Sequence, residues 1–415
     1  MSLNNKRWIY LAAGTLMLLF LGLIYGWSIF RAPLTGYYPN WSASQLSLTF
    51  TISMIMFCLG GFFSGLMLKK VSHRVLLAVA AVIGFVGFFC ISTVEGSTAS
   101  AALIKLYIFY GVLCGFAVGI SYNSIIGTVN KWFKDKPGLA SGAMLMGFGL
   151  GGIVLGGVVN VLIGTVGLFP TFKILAIGIF VVLMGGALIL KAPTSTISSS
   201  DSMQKADGGN PELSKEPDGL KPSEMVRKRS FWLFFVWCLL LNSAGLMVIN
   251  SAALIAVAFG APAVLGLVVS VCNGVSRLFI GGMFDKYGRN ITMMVNIGFT
   301  MTAGVLLLLG NMTEATIVII IGLLFTGLGY GATPSAGAAF TNKEYGAKYF
   351  PINFSIGNFC LIPASIIGPM ISSWLLDMSG GVYTGNFIMI IVLAVLDAIV
   401  FYALRRTLEK EKSMN

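Results

Sequence analysis

The chain has 415 residues, of which 56% are hydrophobic and only 10% charged, with a formal net charge of +12. Its mean hydropathy is +0.88. A water-soluble domain carries about 25% charged residues, so this composition excludes a soluble enzyme or a soluble binding module. A helix crossing a bilayer needs roughly 20 mostly apolar residues, because every backbone amide must be bonded within the segment. In chain order such runs fall at 8–30, 45–68, 75–94, 101–127, 139–164, 170–190, 232–257, 262–284, 291–310, 315–336, 350–376 and 383–405. The first run is too long for the apolar core of a signal peptide and has no small-residue cleavage site, so it reads as the first span. The eighth is the least regular, because Arg277 interrupts it. The expected fold class is an all-α polytopic membrane protein with twelve transmembrane helices.

Between the sixth and seventh runs lies the one long polar stretch, 191–230, rich in Ser, Lys, Asp, Glu, Pro and Gly. A segment of that composition cannot bury a core and reads as a linker. It divides the chain into an N-terminal six-helix bundle (1–190), a cytoplasmic central loop (191–230) and a C-terminal six-helix bundle (231–415). Each half carries a charged turn after its second span, Lys69–Arg74 and Asp285–Arg289, a trace of an internal repeat. If the N-terminus lies inside, only Arg31, Lys105, Lys173 and Arg277 of the 27 Lys and Arg fall outside the cytoplasmic segments. That bias predicts a multi-pass protein of the cell membrane, plasma or inner, with both termini cytoplasmic. It also accounts for the positive net charge, so no nucleic-acid partner is expected. The six cysteines (Cys58, Cys90, Cys114, Cys238, Cys272 and Cys360) sit in apolar stretches without CxxC spacing. They read as packing residues, and no metal or cofactor is expected.

Two motifs carry a family resemblance. The stretch from Gly281 to Arg289, with Asp285, Lys286 and Gly288 between, fits the G-x-x-x-D-[RK]-x-G-R turn. Its glycines permit a tight turn, and its carboxylate can cap a helix N-terminus or meet a basic group across the two halves. It resembles the turn of the major facilitator superfamily, which implies two six-helix bundles and a gating role for Asp285, Lys286 and Arg289. The corresponding first-half stretch, Gly65 to Arg74, has Lys69 where the Asp would stand. One of two latches is therefore expected to be weaker. The stretch from Asn130 through Trp132, Phe133, Asp135 and Gly138 to Gly142 resembles the N-[KR]-W-F-x-D-[KR]-x-G-L-A-[ST]-G signature of the oxalate/formate antiporter family, relatives of the monocarboxylate transporters. Gly147, Gly149, Gly151 and Gly152 continue the pattern, as do Tyr25-Gly26-Trp27-Ser28.

Arg277 is the most informative residue. A charge at mid-span costs about 2.5–3.5 kcal/mol even on the lenient insertion scale, so a cation kept there should face a cavity and meet an anion. Guanidinium suits a carboxylate: planar, always charged and able to donate two parallel hydrogen bonds. Asp397 is the one acid at membrane depth, and a structural ion pair with it is the competing reading. The resemblance places Arg277 on the family's substrate arginine and implies an aromatic box at Tyr25, Tyr122, Tyr330 and Phe354. Asn242, Asn250, Asn273 and Asn358 are further candidates for polar substrate contacts.

Two departures narrow the substrate. Where the oxalate carrier of this family has a second cation, in helix 11, this chain has Gly357. One arginine balances one carboxylate, whereas a dianion would keep an uncompensated charge in low dielectric. The expected substrate is a monocarboxylate such as formate, lactate, pyruvate or acetate, carried by exchange or uniport. Four residues before Arg277, where proton-coupled relatives have an Asp, stands Asn273, and the single histidine, His73, lies in a cytoplasmic turn. Asp397 is the candidate proton site for a rival, proton-coupled mechanism. An oxalate/formate exchanger, a drug-efflux carrier and a transporter-like membrane sensor are further competing readings. The expected partners are a small carboxylate and the lipid bilayer, with the chain acting as a monomer. No nucleophile–base pair or metal-ligand cluster suggests an enzyme.

Overall fold

The computed structural model describes residues 3–68, 70–193, 219–249, 251–262, 265–266 and 268–413. Lys69, Asn250 and residues 194–218 of the central loop lie outside the described residues. Eleven helices among the described residues are long and apolar enough to cross a membrane. They make twelve passes, because the predicted eighth and ninth spans form one helical stretch, Val268–Thr313. This stretch doubles back at Gly288, whose φ of +78° belongs to the left-handed region where a side chain would be strained. Continuous helical bonding up to that turn leaves no loop to separate the two spans.

The passes are numbered here in chain order. Span 1 runs through Leu3–Leu21, tightens to a 3₁₀ turn at Gly22–Gly26, and resumes at Trp27–Tyr37. Spans 2 to 6 are Ala43–Met67, His73–Ile91, Ala99–Trp132, Pro137–Val166 and Leu168–Ile189. Span 7 is Arg229–Ile249, continued by a short helix at Ala252–Ala258. Span 8 lies before Gly288 and span 9 after it; span 10 is Thr316–Tyr345. Span 11 breaks into Phe350–Asn358 and Leu361–Met378, and span 12 is Thr384–Ser413.

The described ends of the chain and the turns after spans 2, 4, 8 and 10 lie at one end, here called the termini end; Arg7 pairs there with Asp135, and Lys228 with Glu411. The first six and last six spans meet there along two seams. At the seam of spans 5 and 8, a Cβ on Gly138 would stand 2.6 Å from Asp285 Oδ1, and one on Gly142 2.6 Å from the Arg277 carbonyl oxygen. Gly138 and Gly281 face each other so closely that neither backbone leaves room for a side chain. At the seam of spans 2 and 11, a Cβ on Gly65 would stand 2.8 Å from the Ile352 Cα.

Polar bonds close both seams. Asp285 accepts hydrogen bonds from the backbone N–H groups of Gly138 (3.1 Å) and Leu139 (2.8 Å). These are orphan donors of the first turn of span 5, so the carboxylate caps a helix of the opposite half. On the other seam the Asn123 amide donates to the Pro351 carbonyl and to Ser355 Oγ, both at 2.8 Å. The same amide reaches the Gly61 carbonyl at 2.8 Å, and Ser355 Oγ donates to that carbonyl at 2.8 Å. This neutral cluster joins spans 2, 4 and 11 where the first-half turn lacks an acid.

Candidate functional site

Arg277 is 1% exposed, and its guanidinium is held by neutral acceptors. Nε donates to Asn273 Oδ1 one helical turn earlier (3.1 Å), and Nη1 donates to the Leu145 carbonyl of span 5 (3.2 Å). Its Cζ lies 5.9 Å from the Tyr25 ring centroid and 5.8 Å from that of Phe148. Each such cation–π contact contributes about 0.5–2 kcal/mol. Nη2 has no hydrogen-bond partner among the described residues. No ion pair joins Arg277 to Asp397 among the described residues; Asp397 stands in span 12, 0% exposed, and is not among the residues that line the cavity with Arg277.

That cavity lies between the two halves. About 20 Å³ of it accepts the centre of a water molecule, room for one or two waters. Arg277 is the only charged side chain on its walls among the described residues. Tyr25, Tyr122, Phe57, Phe148 and Phe354 supply aromatic surface. Tyr25 is presented by the 3₁₀ turn of span 1, and its ring meets Phe148 edge-on at 5.2 Å. Tyr122 stacks on Phe354 across the halves at 6.1 Å and meets Phe148 edge-on at 4.9 Å. The facing wall is made by spans 7 and 11, with Cys238, Asn242, Gly357, Asn358 and Cys360. Span 11 is interrupted at this level, which frees the Asn358 carbonyl to accept from Cys58 Sγ (3.4 Å). An irregular backbone is tolerated at membrane depth where it borders a cavity.

Of the residues singled out in the sequence, Arg277, Tyr25, Tyr122, Phe354, Asn242 and Asn358 are brought together here. Asn242 points its amide at the Cys238 carbonyl (2.7 Å), and its Oδ1 has no partner among the described residues. Asn273 is not on the wall; it steadies Arg277 from behind. Tyr330 is also displaced from the wall. It is 2% exposed, lies near Tyr25, and packs among Ala244, Gly245, Thr300 and Ile390. The physical reason is that span 10 spreads small and polar residues around its circumference, so sequence alone does not say which face meets the pathway. Asn250 lies outside the described residues.

The gating set likewise separates. Asp285 bridges the halves, but Arg289 pairs with Glu344 inside the second half and Lys286 lies 5.0 Å from the neighbouring Tyr287 ring. The sequence reading missed Phe148, Phe57, Thr333 and the thiols Cys238 and Cys360. Phe148 had a visible signal, a bulky ring between Gly147 and Gly149 in the glycine run of span 5. Asn123 and Ser355 gave none, being single polar residues in apolar runs.

Twelve passes in two halves, clasped at one end around a small cavity with a single buried cation, define a polytopic secondary carrier. The chain belongs to the Major Facilitator Superfamily, whose family model matches residues 14–361. It is 27% identical over 361 residues to the oxalate:formate antiporter of Oxalobacter formigenes, covering 83% of this chain and 81% of that protein. It is 26% identical over 373 residues to the uncharacterized MFS-type transporter YhjX of Escherichia coli, covering 86% and 87%. The solved structure of the proton:xylose symporter XylE, bound to 6-bromo-6-deoxy-D-glucose, superposes with a TM-score of 0.68 at 15% identity over 96% of each chain. That likeness is one of fold. The family resemblance carried by the two motifs is thus matched along most of the chain.

Proposed function

We propose that this transporter carries small monocarboxylates across the cell membrane by alternating access, with Arg277 as the carboxylate-binding residue. The observation that carries the reading is the Arg277 guanidinium, buried at the cavity wall with Nη2 lacking a partner among the described residues. A buried donor left unmatched costs about 1–3 kcal/mol, more when charged, and a carboxylate oxygen is the acceptor that removes this cost. One cation on the wall balances one negative charge. Gly357 and Asn358, opposite, add none, so a monoanion leaves the occupied cavity neutral. The tyrosine hydroxyls of Tyr25 and Tyr122 can donate to the second carboxylate oxygen, while the rings confine a small carbon skeleton. Formate, acetate, lactate and pyruvate fit this description; oxalate, with two charges, fits it less well.

The moving bodies are the halves 1–190 and 231–415, with 191–230 as the tether. The termini face the cytoplasm, so the clasped end is the cytoplasmic one and the substrate enters from the other side. Neutralising Arg277 lets the cavity close on that side, after which the Asp285 and Asn123 seams part and release the substrate. Asp285 is the latch, and Lys286 and Arg289 support its turn. An empty cavity leaves the cation unmatched and slows closure, so exchange runs faster than net uptake. Every element of the site comes from one chain, so a monomer suffices.

The test is counterflow of radiolabelled lactate, formate, acetate and pyruvate in proteoliposomes. Arg277→Gln removes the charge while keeping a polar side chain. Its uptake should fall at least about tenfold, the loss of a charge-assisted bond of about 1.5–3 kcal/mol, with unchanged thermal unfolding in detergent. Near-normal uptake by a folded Arg277→Gln protein would reject the assignment.

A further inference from the structure

The largest unexplained polar group lies outside the substrate cavity. Asp397 is 0% exposed, and neither carboxyl oxygen has a hydrogen-bond partner among the described residues. An ionised carboxylate in such surroundings is strongly disfavoured, because no donor or cation offsets its lost hydration. Spans 7, 9 and 11 pack against its own span 12. Span 7 brings the Cys238 thiol, close enough for the two groups to interact electrostatically. Span 9, packed on span 12 through Gly304 against Ile390 and Ile391, has no ionisable side chain from Ile291 to Thr313. Span 11 brings Cys360 at one end of its second helix and the exposed Asp377 at the other. The basic residues of span 12 itself, Arg405 and Arg406, are exposed two turns further on, and Arg405 is engaged with Glu409.

Asp397 is also close to the cavity wall. Ser230 Oγ donates to Glu411 Oε2 (2.9 Å), fixing the antiparallel register of spans 7 and 12. Equal steps along the two spans from that bond reach Ala244 and Asp397, placing Asp397 half a turn from the level of Asn242. Asn242 and Cys238 both line the substrate cavity, and Asn242 Oδ1 is a second buried atom without a partner among the described residues. A carboxyl and an amide oxygen, both unsatisfied, thus stand on two packed spans, one of which borders the cavity.

We propose that Asp397 is a proton-binding site behind the cavity wall, reached from the cavity past Asn242 and Cys238, whose proton is carried with the substrate. Binding is a simple protonation: a proton from water adds to the carboxylate oxygen on one side of the membrane and leaves to water on the other. With the substrate anion on Arg277, the loaded protein then moves no net charge. This inference rests on the monocarboxylate reading for its transport consequence, but not for the proton itself.

Two measurements on the full-length protein in liposomes separate them. Infrared difference spectra, Asp397→Asn against wild type at pH 7, should contain the carbonyl stretch of one protonated carboxyl in wild type. Absence of that band would overturn the proton site whatever the substrate. Uptake of the four labelled monocarboxylates is then measured with the outside one pH unit more acidic, using protein-free liposomes as baseline. Wild-type protein should accumulate its substrate about tenfold, the factor that one proton per carboxylate allows at that gradient. Asp397→Asn should lose the accumulation while still catalysing counterflow, and Asp397→Glu should retain it. Gradient-driven accumulation by Asp397→Asn equal to wild type, or none by wild type, would overturn the coupling. Absence of counterflow with wild-type protein would instead reject the monocarboxylate reading.

Discussion

A guanidinium at membrane depth is here held by an amide oxygen, a backbone carbonyl and two aromatic faces, with Nη2 unpartnered among the described residues. Neutral acceptors fix the side chain without consuming its charge. An acid at position 273 would form an ion pair with the guanidinium, whereas Asn273 orients it and leaves its charge uncompensated, as the proposed anion site requires. On the proposed monocarboxylate reading, the opposite wall sets the second part of the specificity. A Cβ on Gly357 would meet only the Phe234 ring, at the ordinary distance of 3.8 Å, so a longer side chain can start there without strain. Gly357→Lys should therefore place a second cation on the cavity wall. Oxalate should then compete for uptake at least about tenfold better than with wild type, and lactate should bind more weakly. Competition counterflow measures both; an unchanged oxalate-to-lactate preference would mean that charge count does not select the substrate.

The helices position these side chains through their irregularities. Span 1 tightens to 3₁₀ where it presents Tyr25, and span 11 breaks where its carbonyl meets Cys58. Such interruptions were not legible in the sequence, because an apolar run fixes the length of a span and not where its hydrogen bonding changes. The turn at Gly281 to Arg289 was legible, since glycine spacing and one carboxylate define it. Its action as a cap on span 5 follows from that chemistry. The opposite seam was legible only as a missing acid; its replacement by Asn123 and Ser355 requires the packed structure. Asp285→Asn keeps one carbonyl acceptor and turns an amide N–H toward a backbone donor. It should weaken the clasp by about 1 kcal/mol and raise the open population of the termini end about fivefold. Distances between spin labels at positions 136 and 348, one in each half, report this; an unchanged distribution would show that Asp285 does not hold the seam.

At the scale of the whole molecule, span number and membrane embedding were readable because bilayer thickness imposes a length and charge exclusion imposes a composition. The twelve predicted runs reappear as twelve passes, with spans 8 and 9 joined at Gly288. Which faces of those spans meet was not readable, for a helix whose small and polar residues are spread around it gives no periodicity to orient it. Tyr330 illustrates this: right in depth, it sits one layer behind the wall and touches the site through Tyr25. The central claim concerns the whole carrier: two halves close around a single cation and one small monoanion. Its most direct test is wild-type counterflow in proteoliposomes against a panel of formate, acetate, lactate, pyruvate, oxalate and succinate. Saturable exchange of one or more monocarboxylates, with little competition from the dianions, is the expected result. Preferential exchange of oxalate, or no exchange of any monocarboxylate, would contradict it.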